Sequence, residues 1–77
     1  MERPTKVWCY SGWLYAERPN SFLWEGEVRR VEEVEKAWLE PGERHFVVRS
    51  GRELFGLCYH ELADEWSVTE QGFGGIQ

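Results

Sequence analysis

Cysteine, methionine, asparagine and lysine are all scarce in this 77-residue chain, and no purely apolar run exceeds four residues. Each shortage excludes something. Two cysteines, Cys9 and Cys58, allow one disulfide at most, so a disulfide-stapled secreted scaffold is ruled out. Neither has a cysteine neighbour at the C-x₂₋₄-C spacing of structural zinc sites. A membrane-spanning helix needs about 20 consecutive apolar residues, which the chain lacks. The polar start Glu2-Arg3-Pro4-Thr5-Lys6 does not read as a secretory signal, so a cytoplasmic protein with reduced thiols is expected. Positive charge is also short: 9 Lys and Arg stand against 14 Asp and Glu, for a net charge of −5, and an acidic surface repels nucleic acid at long range. Gly72, Gly74 and Gly75 neither follow a strand nor open a helix, so they make no phosphate cradle, and residues 71–77 read as a flexible Gly-rich tail.

What the chain has in quantity is aromatic surface: five Trp, three Tyr and four Phe. Each large ring can bury roughly 150–250 Å², so a few of them can build most of a small core. A domain this short leaves much of its surface exposed and has thin stability without such rings.

Patterning along the chain points to strands. Residues 1–5 read as a loose leader ahead of Pro4. Residues 6–16 are β-branched and aromatic, interrupted at Ser11-Gly12 by a bulge or turn. Arg18-Pro19-Asn20-Ser21 is a turn, and Phe22-Leu23-Trp24 resumes a strand with Phe22 and Trp24 on one face. Residues 26–39 are ambiguous. Val28, Val31, Val34 and Trp38 have helical spacing, yet valine is restricted in helices and a bulged strand would break strict alternation in the same way. Glu40-Pro41-Gly42-Glu43 has Pro and Gly where a type II turn wants them. Residues 44–49 and 52–59 form a hairpin around Ser50-Gly51, which would set Phe46 opposite Phe55, Val47 opposite Leu54 and His45 opposite Gly56. Phe46, Val48, Phe55, Leu57 and Tyr59 then form the core face, joined by Trp66 and Val68 from a last short strand at 65–69.

Trp24-x-Gly26, Val31, Val34, Trp38, Pro41-Gly42, Phe46-x-Val48, Gly51-x-x-x-Phe55-x-Leu57-x-Tyr59 and Trp66 together form a pattern. Over residues 18–69 it resembles a family of small bacterial proteins and domains of unknown function, some associated with Y-family DNA polymerase-like proteins of SOS mutagenesis. His60 stands where such relatives often carry an acidic residue, and the loop before Phe46 is short. The resemblance implies that residues 26–38 form one long bent strand, and it implies a role in DNA repair or mutagenesis.

The fold expected is therefore a single all-β domain over residues 1–70. It would be a strongly bent antiparallel sheet of five or six strands, or a partly open SH3-like barrel, with an α+β fold carrying a helix at 27–38 as the alternative. No enzyme chemistry is expected. Cys9, His45, Cys58 and His60 are zinc-type residues without zinc-type spacing, and a Cys–His nucleophile pair lacks a third orienting group, so neither metal nor cofactor is expected. Glu32, Glu33 and Glu35 alternate with valine as the wet face of an element, not as a convergent acid/base pair. Twelve aromatics are too many for so small a core. Trp8, Tyr10, Trp13 and Tyr15 are the rings expected at the surface, where they would bind a protein partner or a second copy of the chain. The alternative is single-stranded nucleic-acid binding through Arg29, Arg30, Arg44, Arg49 and Arg52.

Overall fold

The computed structural model describes residues 2–9 and 18–73. Among the described residues, eight strands follow one another: β1 (Arg3–Thr5), β2 (Val7–Cys9), β3 (Pro19–Trp24), β4 (Glu27–Arg30), β5 (Glu33–Glu40), β6 (Glu43–Ser50), β7 (Glu53–His60) and β8 (Glu65–Phe73). All pairings are antiparallel. One sheet has the order β1-β8-β7-β6-β5 and the other the order β2-β3-β4. The all-β class is as expected, but eight strands in two sheets replace a single sheet of five or six, and the sheets do not close into an SH3-like barrel.

Two stretches of chain tie the sheets together. Between β4 and β5 the Val31 amide donates to Asn20 O at 2.8 Å, on β3, while the next amide, Glu32, donates to Arg49 O at 2.8 Å, on β6. Consecutive residues thus bond to different sheets. Between β1 and β2, Lys6 O accepts from the Leu23 amide at 2.9 Å, just after Thr5 has paired with Trp66 of β8.

That crossing explains the ambiguous segment. No residue of 27–38 is helical. Val28 points outward, Val31 and Val34 pack against the core, and a bulge between Val34 and Lys36 re-phases the strand so that Trp38 points outward again. A change of sheet followed by a bulge has produced a 3-3-4 spacing without a helix. The one long bent strand implied by the family resemblance is instead two strands, β4 and β5, which lie in different sheets and are separated at Val31-Glu32.

The core is the interface between the sheets. Val7, Phe22 and Trp24 from the smaller sheet meet Phe46, Val48, Phe55, Leu57, Trp66 and Val68 from the larger. Phe55 is the central ring: its centroid lies 4.9 Å from Phe22 and 5.1 Å from Trp24, in tilted and edge-on geometries that favour aromatic pairs. Phe46 and Tyr59 flank Trp66 at 5.9 and 5.2 Å.

Four local expectations are corrected. The turn expected at Arg18-Pro19-Asn20-Ser21 is instead the start of β3, which begins at Pro19 and pairs with β2. Residues 3–5 are not a loose leader: they form β1, an edge strand on β8. β8 runs to Phe73, so residues 71–73 belong to a strand, and residues 74–77 lie outside the described residues. The β6–β7 hairpin turns at Gly51-Arg52, one residue later than Ser50-Gly51, and Gly51 has the positive φ, +63°, that its turn position needs. Ser50 therefore pairs with Glu53, and every partner moves by two: Phe46 faces Leu57, Val47 faces Gly56 and His45 faces Cys58. An even shift keeps each side chain on its expected face, so the core survives the error while the neighbours on the opposite face change.

Candidate interaction surface and a cross-strand donor cluster

The outer face of the three-stranded sheet is a small grid. Alternation directs Val7, Phe22 and Trp24 into the core and leaves Lys6, Trp8, Ser21, Leu23, Val28 and Arg30 outside. Leu23 and Val28 are register partners, and Ser21 links Trp8 on one side to Arg30 on the other. Trp8 is 41% exposed, Leu23 37% and Val28 62%. The Lys6 ammonium lies 5.8 Å from the Trp8 ring. An apolar centre is therefore bordered by two cations on a protein of net charge −5. Of the four aromatics expected at an interface, Trp8 is here; Tyr10, Trp13 and Tyr15 lie outside the described residues. Leu23 and Val28 were missed because an exposed Leu or Val in an alternating strand carries no signal until its cross-strand neighbours are known.

The five arginines do not share a face. Arg29 turns toward the core edge, where it donates to Glu53 Oε1 at 2.7 Å and Ser50 O at 3.3 Å, with its guanidinium 5.2 Å from the Phe55 ring. The Arg29 hydrogen bond holds the Glu53 carboxyl below the usual range, against the opposing effect of burial. Arg44 pairs with Glu61 at 3.3 Å, and Arg49 with Glu35 at 3.2 Å and Glu32 at 3.5 Å. Arg30 and Arg52 are exposed, on β4 and in the β6–β7 turn. Glu32 and Glu35, considered above as possible acid/base partners, are thus the anions of a surface ion-pair network.

On the opposite side of the molecule, the outer face of the five-stranded sheet gathers both histidines and Cys58 beside Glu43. Glu43 and His45 are two apart on β6; Cys58 and His60 are two apart on β7. Glu43 is the register partner of His60, and His45 of Cys58, so the four side chains occupy the corners of a square spanning two strands. Cys58 Sγ lies 3.8 Å from His45 Nε2 and 4.0 Å from His60 Nδ1. Glu43 reaches both imidazoles, with Oε1 2.9 Å from His45 Nε2 and Oε2 3.5 Å from His60 Nδ1. Trp38 on β5 stacks flat on His45, ring centroids 5.0 Å apart, and donates from Nε1 to Glu40 at 2.9 Å. Behind His60, Ser67 on β8 lies 3.1 Å from Nε2 and donates to Glu2 at 2.6 Å. A cleft of about 150 Å³ opens here, with Trp38, His45, Cys58 and Ser67 among its walls. Burial, followed by the carboxylates of Glu43, Glu2 and Glu40, pushes the Cys58 thiol up to about 11.

Of the four zinc-type residues singled out in the sequence, the structure brings three together. The fourth, Cys9, packs against the core on β2. Spacing along the chain could not find the set, because its pairings run across strands and the misplaced turn put His45 opposite Gly56.

No family model, curated protein or solved structure matches this chain. Among the described residues, no helix is long and apolar enough to cross a membrane.

Proposed function

We propose that this domain is a non-enzymatic interaction module that docks a protein partner on the outer face of its three-stranded sheet. The observation that carries the reading is the grid in which Trp8, Leu23 and Val28 form an exposed apolar centre between Lys6 and Arg30. Tryptophan and arginine dominate binding hot spots, and a contiguous apolar patch on a small soluble domain marks association. The basic border selects the partner. It suits an apolar ridge flanked by carboxylates, whereas a second copy of the same face would set lysine and arginine against themselves. The resemblance of residues 18–69 to domains found with Y-family polymerase-like proteins makes such proteins the first partners to test.

The experiment compares the native chain with the double variant Trp8→Ala, Val28→Asp as bait in cell extract, followed by titration of the purified captured protein. Both positions are outward-facing, so the variant is expected to fold. Removing a hot-spot tryptophan costs about 2 kcal/mol or more, so affinity should fall at least roughly 30-fold. A captured protein that binds both baits equally contradicts the reading. So does binding of labelled single-stranded oligonucleotides that weakens steeply with salt, which would support the nucleic-acid alternative.

A further inference from the structure

We propose that Glu43, His45, Cys58 and His60 form a tetrahedral binding site for a zinc-class divalent cation, a function separate from the docking face on the other sheet. The donor set is one thiolate sulfur, two imidazole nitrogens and one carboxylate, a mixture that suits a borderline metal such as Zn²⁺. The distances suit it too. Zinc bonds of about 2.3 Å to sulfur and about 2.0–2.1 Å to nitrogen or oxygen, at tetrahedral angles, set sulfur and nitrogen about 3.5 Å apart and nitrogen and oxygen about 3.3 Å apart. The protein holds Cys58 Sγ 3.8 and 4.0 Å from the two imidazoles, and the Glu43 oxygens 2.9 and 3.5 Å from them. The donor atoms of Glu43, His45 and Cys58 already lie within 4.8 Å of one another, and side-chain rotation of His60 and of the Glu43 carboxylate brings the fourth corner into the shell.

The strongest sign lies behind His60. A serine hydroxyl has one proton, and Ser67 gives its proton to Glu2. Toward His60 Nε2, Ser67 is therefore an acceptor, and Nε2 carries a hydrogen. With Nε2 so engaged, Nδ1 is the nitrogen that faces Cys58 and the Glu43 carboxylate. Electron-rich atoms converge there, and a cation among them removes the conflict. A proton on Nδ1 would satisfy only the Glu43 contact, whereas a metal ion engages all four corners. The Glu2–Ser67–His60 chain is also the kind of outer support that fixes the tautomer of a metal-bound histidine. Trp38 fixes the plane of His45 in a comparable way. A second trio, Glu2, Cys58 and His60, has its donor atoms within 4.8 Å of one another and shares two of the same ligands. Its Glu2 is engaged by Ser67, which leaves Glu43 as the carboxylate for the metal.

Binding is an exchange of cations. The Cys58 S–H bond breaks, its proton leaves to solvent, and the sulfur's electron pair goes to the metal. His45 binds as its Nδ1–H tautomer: the proton that Nε2 shares with Glu43 before the metal binds leaves to solvent while Nδ1 takes one up, so that Nε2 is bare for the metal. A dication held among these donors favours the thiolate over the thiol.

The test is titration of chelator-treated protein with Co²⁺, followed by displacement with Zn²⁺. The expected result is one Co²⁺ per chain, intense visible bands of a tetrahedral site and a thiolate-to-cobalt charge-transfer band in the near ultraviolet. Cys58→Ser should abolish the charge-transfer band. His60→Gln, whose amide can still reach Ser67, should keep that band and weaken Zn²⁺ at least roughly 100-fold, since even outer supports of metal sites are worth 10–100-fold. Cys9→Ser should change neither. Circular dichroism checks that each variant is folded; should Cys58→Ser unfold, His60→Gln carries the test. A pale octahedral spectrum with no charge-transfer band in the native chain overturns the proposal, as does a folded Cys58→Ser or His60→Gln variant with native metal affinity.

Discussion

Phe55→Ala should leave the chain largely unfolded at 25 °C. Phe55 is fully buried and is the ring on which the larger sheet receives Phe22 and Trp24 of the smaller one. Truncating a buried phenylalanine costs about 3–5 kcal/mol, partly in lost transfer energy and partly in the cavity left behind. A core in a domain of this size supplies only about 3–5 kcal/mol in total, so one substitution consumes most of the margin. The Arg29 guanidinium packed on the same ring also loses its support. Urea denaturation followed by tryptophan fluorescence reads the effect directly. A loss below about 1.5 kcal/mol would mean that the sheets do not meet at Phe55.

Saturating Zn²⁺ should raise the melting temperature sharply. A ligand that binds only the folded chain stabilises it by about 2.7 kcal/mol when present at 100 times its dissociation constant, and in domains of this size that corresponds to roughly 10–20 °C. The four donors come from two adjacent strands in the middle of the larger sheet, so the metal would clamp the β6–β7 pairing on which the Phe55 face depends. Cys58→Ser should lose most of the gain. Calorimetry with and without chelator provides the measurement; an equal gain in native and Cys58→Ser protein would place the metal elsewhere.

How legible the sequence was depended on whether a feature could survive an even shift in pairing. The inward set of Phe22, Trp24, Phe46, Val48, Phe55, Leu57, Trp66 and Val68 follows from alternation alone and needs no register, so it was readable. The square of Glu43, His45, Cys58 and His60 needs the register itself. A turn placed at Ser50-Gly51 in place of Gly51-Arg52 separated its members while leaving every facing intact. The second hairpin was hidden for another reason. Its turn, Glu25-Gly26, has positive φ at both positions, 51° and 80°, the signature of a type I′ turn, but glutamate is seldom chosen there. Gly26 on its own read as the edge of a possible helix. Arg3–Thr5 lacked any apolar residue to mark it as a strand, because an edge strand anchored by β8 can form through backbone pairing with little burial of its own. Of the proposed docking face, only Trp8 and Arg30 could be singled out; Leu23 and Val28 acquire meaning once β3 and β4 are paired.

The pairing of β6 with β7 is the premise on which both the core geometry and the donor square stand, and nuclear Overhauser contacts between backbone protons of the two strands report it without mutation. They should link His45 to Cys58, Glu43 to His60 and Phe46 to Leu57. Contacts joining His45 to Gly56 and Phe46 to Phe55 would contradict the account.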